Sequence, residues 1–165
     1  MHLREDLTYD AAPGEVWAML TDQGFQEQVC RHSGAQTWEV EIAELPGGRR
    51  RVISRQRMIL DEVPDFARRF VGESVDIVRV DDWEPPRADG TAAASTVVTA
   101  SGAPVRLKAT VTLTGADGGT VQRIDGELRA SVPLIGRRIE LAAAPAIEAA
   151  MRHEHDTGVA WLAAG

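Results

Sequence analysis

The C-terminal part of the chain constrains the fold more than any other stretch. Strand-like sequence stops at Ser131–Gly136, and an alanine-rich helix is predicted from about Arg137 to Leu162. A helix of this length spans roughly 40 Å, about the width of a small domain. Because the strand-like segments before it each have one apolar face to cover, we expect this helix to close over a curved antiparallel sheet. Such a closure can leave an apolar space, so a container for a small molecule is the leading hypothesis.

Composition and charge exclude several classes of function. The 165 residues suit one domain, 1–165, with a sizeable core, and the net charge of −7 argues against a nucleic-acid partner. Cys30 is the only cysteine, so we expect neither a disulfide nor a cysteine metal cluster. The chain begins without a signal-like apolar segment, and no stretch is long enough for a membrane span. We therefore expect a soluble cytoplasmic protein without metal or cofactor; its oligomeric state stays open.

Two short helices are predicted between the first strand and the rest of the sheet. His2–Tyr9 has the pattern of a strand, and Asp10–Leu20 that of a turn entering a helix. Pro13 suits the first helical turn, where its missing N–H costs nothing. The second helix is expected to begin with Asp22 as a cap and to end near Ser33.

The middle of the chain has the pattern of six antiparallel strands. Val105–Thr114 alternates strictly between apolar and polar residues, as in a strand with one dry and one wet face. Gly126, in the middle of the last strand, predicts a bend or a bulge. Short turns between the strands favour a meander. The predicted strands are Thr37–Leu45, Arg49–Arg57, Ser74–Trp83, Ala93–Ser101, Val105–Thr114 and Thr120–Val132.

Four short segments carry a family resemblance: Pro13–Trp17, Val63–Pro64, Val132–Glu140 and Trp161–Leu162. The element order β-α-α-β6-α resembles that of the START-like, or SRPBCC, superfamily, whose helix-grip fold also occurs in the birch-pollen allergen group. The four segments make the chain similar, more narrowly, to a bacterial group known as DUF2505, a domain of unknown function. The expected fold class is therefore α+β: a curved antiparallel sheet of about seven strands closed by a long C-terminal helix.

This resemblance implies a deep apolar cavity between the sheet and the last helix, which superfamily members use for lipids, sterols and polyketides. Binding or transport of a small hydrophobic or amphipathic molecule is therefore the first functional hypothesis. The second is an enzyme of the polyketide cyclase or aromatase type, although no catalytic motif is present. The third is a chaperone-like interaction module that takes a peptide in its groove. The fold alone does not decide among them.

The candidate ligand contacts are residues expected to face the interior from the strands and from the last helix. Small side chains on a helix that faces a sheet indicate either close packing or an empty space, and both stay open. The tryptophans are expected either to offer a ligand a flat wall or to be ordinary core. The candidates are Trp38, Val40, Trp83, Leu107, Ala109, Val111, Leu128, Ile139, Ala143, Ala146, Ile147 and Ala150.

The last helix carries two further features. Pro145 predicts a kink near Leu141, which would either gate the cavity or wrap the helix around the sheet. His153–Asp156 does not match a metal motif, because histidines two residues apart point about 200° away from each other on a helix. A solvated polar helix end is the expectation, with a buried Glu154 as the alternative.

An arginine-rich strand is the remaining charged feature. Arg51, Arg55 and Arg57 are predicted to share a face with Ile53. This face would either contact an anionic head group or form cross-strand ion pairs, and we expect the pairing. The acidic partners expected on the preceding strand are Glu39, Glu41 and Glu44.

The segment after this strand has two interpretations as well. Two turns of helix are predicted at Val63–Phe70, within a segment that would act as a lid over a cavity mouth or as a plain plug. The strand Ser74–Trp83 has apolar residues on both faces, so the directions of Asp76, Arg79 and Asp81 stay unassigned.

Overall fold

The computed structural model describes residues 1–165 and contains seven strands and three helices. The predicted element order is confirmed, and the strand bounds differ from the predicted ones by two residues at most. A short 3-10 turn at Pro46–Gly48 joins two of the strands. The elements are β1 His2–Tyr9, α1 Pro13–Leu20, α2 Gln23–His32, β2 Thr37–Glu44, β3 Arg50–Ile59, β4 Ser74–Trp83, β5 Ala92–Ser101, β6 Val105–Ala116, β7 Gly119–Ala130 and α3 Gly136–Ala163.

The seven strands form one antiparallel sheet in the order β1-β7-β6-β5-β4-β3-β2. Strands β2 to β7 follow one another as the predicted meander, and β1 pairs with β7 at the far edge. The two edge strands, β1 and β2, are therefore the strands that flank α1 and α2 in the sequence. Helices α1 and α2 connect these two edge strands and lie at one end of the sheet. The opposite end is covered by loops and by the start of α3.

The two short helices begin where their residues predict. Pro13 occupies the first turn of α1, and the Glu15 carboxylate accepts a hydrogen bond of 2.9 Å from the Ala12 N–H. Asp22 caps α2 as expected, because its Oδ1 accepts a hydrogen bond of 2.8 Å from the Phe25 N–H. Phe25 is fully buried and anchors α2 in the core.

Between β3 and β4 the chain does not form a helix. The two helical turns predicted at Val63–Phe70 are wrong: the segment consists of separate turns in which the Ala67 and Arg68 N–H groups donate to the Pro64 carbonyl. Only Ala67 of this segment is buried, so too little apolar surface is covered to stabilise a short helix.

Alternation along the strands gives the sheet a dry inner face and a wet outer face. On β6, Leu107, Ala109, Val111 and Leu113 are all buried, as predicted. The bulge predicted at Gly126 is absent, because β6 and β7 stay in continuous register along their whole length.

Gly126 is required for a different reason, namely the close approach of β6. A Cβ atom added at this position would lie 2.8 Å from the Ala109 Cβ and 2.9 Å from the Lys108 carbonyl oxygen.

The core divides into two hydrophobic clusters. The larger cluster lies between the sheet and α1 and α2, and contains Phe25, Trp83 and Leu113. The smaller cluster is Leu3, Leu107, Leu128 and Ala144, where α3 lies over β1, β6 and β7.

Helix α3 approaches the sheet unevenly. Its backbone comes closest to β7, β1 and α2, rather than to the middle strands β3, β4 and β5. It runs without interruption through Pro145, which lies on the exposed side of the helix, so water can replace the hydrogen bond lost at Leu141. None of the three helices combines the length and the apolar composition needed to traverse a bilayer.

Substituting Gly126→Ala should destabilise the protein by about 1–3 kcal/mol, the usual cost of an overpacked core. The clash involves the Lys108 backbone, which cannot rotate away as a side chain can. Gly115→Ala is the control, since a Cβ there meets Pro13 and the Gly119 carbonyl at ordinary distances of 3.8 and 3.9 Å. Urea unfolding of both variants checks this expectation; equal midpoints for the two would contradict it.

Candidate functional site

The inner face of the sheet is tightly packed at the end that α1 covers. Val52, Trp83, Ala94 and Leu113 are each 4 % exposed or less. The Trp17 indole N–H donates a hydrogen bond of 3.0 Å to the Glu84 carbonyl, which ties α1 to the end of β4. This half of the interior is closed by side chains of the core.

Towards the opposite end, the same inner faces are only partly covered. The side chains there are mostly apolar and remain partly exposed although they face α3 rather than the outside. We call this region the groove. It comprises nine half-buried residues: Gln56, Met58, Ile77, Arg79, Val98 and Ala100 on the inner face of the sheet, and Ala143, Ile147 and Met151 on α3.

An ion pair between the sheet and α3 forms the floor of the groove. The two terminal nitrogens of Arg79 donate to the Glu154 carboxylate, with Nη1–Oε2 at 2.6 Å and Nη2–Oε1 at 3.3 Å. The Glu154 side chain is 5 % exposed, whereas that of Arg79 is 26 % exposed and faces the groove. The pair joins β4 to α3, whose backbones approach each other less closely than those of β7 and α3 do.

A second carboxylate lies behind this pair. The Asp81 Oδ2 atom is 2.8 Å from the Arg79 Nε atom, and its Oδ1 accepts a hydrogen bond of 2.6 Å from the Thr96 hydroxyl. The Arg79 N–H at Nε does not point at Oδ2, so this contact is an ion pair without a hydrogen bond and Nε has no partner. Arg79, Asp81, Glu154 and Thr96 together form what we call the buried network.

Strand alternation explains why Arg79 and Asp81 point inward. They share the face of the half-buried Ile77 and of Val75 and Trp83, two apolar residues whose burial decides the orientation of β4. The register then places Asp81 directly opposite Thr96. A buried charge is tolerated only where it is paired, so the inward arginine requires the carboxylates around it.

Burial changes the pKa of Asp81 in the network and of two further groups, Tyr9 and Cys30. Burial raises the pKa of Asp81, although the neighbouring Arg79 guanidinium opposes this shift. Burial also raises the pKa of the Tyr9 hydroxyl, and the negative charge of Glu154 adds to the effect. The pKa of the Cys30 thiol is raised to about 11, again mainly by burial. Tyr9 and Cys30 are therefore uncharged at neutral pH.

The polar segment at the end of α3 differs from the expectation. A solvated helix end is wrong for Glu154, which lies on the inward stripe one turn after Met151 and is buried. His153 and His155 do point apart, as their spacing predicts. The Nε2 atom of His153 is 3.1 Å from the Val29 carbonyl on α2, and that of His155 is 2.7 Å from the Thr8 carbonyl on β1.

The arginines of β3 share the face of Ile53 as predicted, and this is the outer face, but the predicted pairing with β2 is wrong. Arg51 binds Asp82 at 2.6 Å and Arg57 binds Asp76 at 2.8 Å, both on β4. The register places each of these aspartates directly opposite its arginine. On β2 only Glu39 lies opposite one of the three arginines, Arg55, whereas Glu41 faces Ile53 and Glu44 faces Arg50.

The structure brings only some of the predicted ligand contacts to the groove. Ala143 and Ile147 line it. Trp38 lies at its edge, opposite Gln56 and 38 % exposed, and Val40 is half-buried on the same strand. The predicted contacts that are packed against protein are Trp83, Leu107, Ala109, Val111, Leu128 and Ile139.

The inward orientation predicted for Ala146 and Ala150 is wrong, because both are exposed. The inward stripe of α3 is centred on Ile147, Met151 and Glu154, so the two alanines lie to one side of it. Sequence reasoning left the inward direction of Arg79 and Asp81 open, although the shared parity of Val75, Ile77 and Trp83 indicates it.

A loop and the start of α3 surround the mouth of the groove. The Arg138 guanidinium stacks on the Phe66 ring at 4.3 Å, which ties the segment after β3 to α3. Phe70 lines a cleft of about 450 Å³ at this end of the sheet. None of the groove residues lines this cleft. Its other lining residues are Gly102, Ala103, Pro104, Ser131, Val132 and Pro133.

This architecture defines a class of protein. A curved antiparallel sheet of seven strands, closed by a long C-terminal helix, is the helix-grip fold of START-like proteins. The protein TTHA0849 from Thermus thermophilus superposes with a TM-score of 0.64 at 13 % identity, covering 97 % of this chain and 98 % of that one. A START superfamily protein from Mycobacterium smegmatis gives 0.60 at 13 %, covering 98 % of each chain.

The Zhui aromatase/cyclase from Streptomyces sp. R1128 has the same fold, with a TM-score of 0.59 at 16 % identity over 97 % of this chain and 92 % of that one. At such low identity these likenesses show the fold alone. The family model described as Protein of unknown function (DUF2505) matches residues 4–162, and the chain belongs to this family. No curated protein matches the chain.

Removing the charge of Glu154 should destabilise the fold. Glu154→Gln leaves the buried Arg79 guanidinium with Asp81 alone, and breaking a pair of this kind costs up to about 3 kcal/mol. Asp156→Asn removes the same charge from the same helix at a side chain that is 81 % exposed, so it should change stability by less than about 0.5 kcal/mol. Chemical unfolding measures both; an equal effect would show that the pair is not structural.

Stability should depend on pH with opposite signs for two aspartates of β4. The raised pKa of Asp81 means that its contribution to stability falls as pH rises above 3.8 through the higher folded value. Asp81→Asn should therefore gain stability relative to the wild type as pH increases.

Asp76 is the control, because its hydrogen bond with Arg57 lowers its pKa. The stability that Asp76 contributes is present above pH 3.8 and is lost as pH falls through the lower folded value, so Asp76→Asn should lose stability relative to the wild type as pH rises. Thermal unfolding between acid and neutral pH checks both signs. Parallel curves for the two variants would contradict the raised pKa of Asp81.

Proposed function

We propose that this protein binds a small, mainly apolar molecule in the groove between α3 and strands β3 to β5. The observation that carries the proposal is the uneven packing of the interior. One half of the inner face is closed, whereas Met58, Ile77, Val98 and Ala100 stay partly exposed beneath the helix. Protein interiors are normally packed to crystal-like density, and an apolar concavity with few polar groups is the usual form of a ligand site.

The surroundings of the groove support this proposal. Its walls are apolar, and its polar groups are concentrated at the floor, where Arg79 meets Glu154. The loop that carries Phe66 and Phe70 lies at the open end and would act as the lid. Binding of hydrophobic ligands is also what the likeness to START-like proteins implies.

A cyclase or aromatase activity is the second candidate, and the buried network favours it. Catalysis of this kind needs an ionisable or hydrogen-bonding side chain beside the bound molecule, and Arg79 occupies that position. The fold shared with the Zhui aromatase/cyclase agrees with this candidate. Incubation with a soluble poly-β-ketone analogue tests it, because an intramolecular aldol condensation with dehydration releases one water, which mass spectrometry detects. An unchanged mass of the bound analogue supports binding alone.

Filling the groove should abolish the binding of an apolar probe. The neutral dye N-phenyl-1-naphthylamine should become fluorescent with the wild-type protein. Ala100→Trp places an indole on the inner face of β5 and should weaken binding at least about tenfold. The control Thr99→Trp adds the same ring to the outer face of the same strand and should bind like the wild type.

Fluorescence titration measures all three proteins, and thermal unfolding confirms that each variant is folded. Equal affinity in Ala100→Trp and Thr99→Trp would place the dye outside the groove. A wild-type protein that takes up no dye would contradict the proposed function itself.

A further inference from the structure

We infer that the groove selects neutral molecules with a carbonyl or hydroxyl oxygen, and discriminates against carboxylates such as free fatty acids. This inference rests on the proposed function, whose site it describes in more detail. Its basis is the buried network, in which the one cation of the groove already has two acidic partners.

The charge balance of the network is the first step. Arg79 contributes one positive charge, and Glu154 and Asp81 contribute two negative charges when both are ionised. The sum is −1 in that state and zero when one carboxyl is protonated, so it is not positive while either carboxyl is ionised. An apolar groove with an arginine at its floor would suggest an anion site, but here the two neighbouring carboxyl groups offset the charge of the arginine.

Neighbouring groups do not reverse this balance. The Tyr9 hydroxyl is neutral and donates a hydrogen bond of 3.1 Å to Gln122, and the Cys30 thiol is neutral as well. Arg152 lies two residues before Glu154 on α3, but it is 53 % exposed and pairs with Glu5 at 3.5 Å.

The remaining charged groups around the groove face away from its floor. His153 turns towards the Val29 carbonyl of α2, and Arg138 stacks on Phe66 at the entrance. A carboxylate bound at Arg79 would therefore lie close to two acidic groups that already offset the charge of the guanidinium. In a region of low dielectric constant their repulsion is strong.

The hydrogen-bonding capacity of Arg79 is the second step. A guanidinium has five N–H groups. Glu154 takes one N–H from each terminal nitrogen, and no other protein group accepts from these two atoms. Each terminal nitrogen thus retains one N–H, and the Arg79 side chain is 26 % exposed. Such donors suit a ketone, ester or alcohol oxygen, which accepts a hydrogen bond without adding charge.

Three ligands with one ring system test the inference: 2-acetylnaphthalene, 2-naphthoate and 2-ethylnaphthalene. Each would displace N-phenyl-1-naphthylamine from the wild-type protein at neutral pH. The ketone should bind at least about tenfold more tightly than the carboxylate, and more tightly than the hydrocarbon. Glu154→Gln raises the charge of the network by one unit, so it should shift the ratio about tenfold towards the carboxylate. The control Asp156→Asn should leave the ratio unchanged.

Each result decides for or against the inference. The carboxylate binding most tightly to the wild type would overturn it, and so would equal binding of ketone and hydrocarbon. These comparisons need no variant, so poor folding of Glu154→Gln does not affect them. If Ala100→Trp bound all three ligands as tightly as the wild type and kept the same preference for the ketone over the carboxylate, the groove would not be the binding site. Absence of any binding would overturn the proposed function, which is a distinguishable outcome.

Discussion

The pair between Arg79 and Glu154 is the interaction on which the interior depends. It joins the middle of the sheet to α3, which approaches β7 and β1 more closely than β4. Because neither charge can be buried alone, the arginine on β4 and the glutamate on α3 must remain together. The pair therefore sets the distance between helix and sheet, and that distance determines whether a groove exists beside it.

The start and the end of α3 are each tied to the rest of the fold, and its middle packs at Ala144 on the smaller core cluster. At its start, the Glu140 carboxylate accepts hydrogen bonds from the Ala130 N–H and the N-terminal amino group. Towards its end, Gly158 lies so close to Met19 and Tyr9 that an added Cβ would be 2.9 Å from each. A helix that packs on β1, β6 and β7 and is joined to the middle strands by an ion pair is well suited to cover a small molecule without being displaced by it.

Much of this architecture follows from patterns that the sequence displays. Strict alternation identifies strands such as Val105–Thr114, and the long helix with its alanine-rich face predicts the closure. The pairing partners and the burial of individual side chains were harder to predict, because they depend on which residues of neighbouring strands lie opposite each other. Asp76 and Asp82, rather than the glutamates of β2, pair with the arginines of β3, since only the register reveals which residues lie opposite each other. The burial of Glu154 was hard to predict for a similar reason. It depends on pairing with Arg79 of β4, and the sequence pattern of this strand left its inward face unassigned.

The central claim is that a neutral apolar molecule lies in the groove and accepts a hydrogen bond from Arg79. A crystal structure of the complex with 2-acetylnaphthalene tests it most directly. We expect the ring between α3 and strands β3 to β5, the ketone oxygen about 3 Å from a terminal nitrogen of Arg79, and the pair with Glu154 intact. A ring bound outside the groove, or a groove filled by the side chains of the protein with no room for the ring, would contradict it.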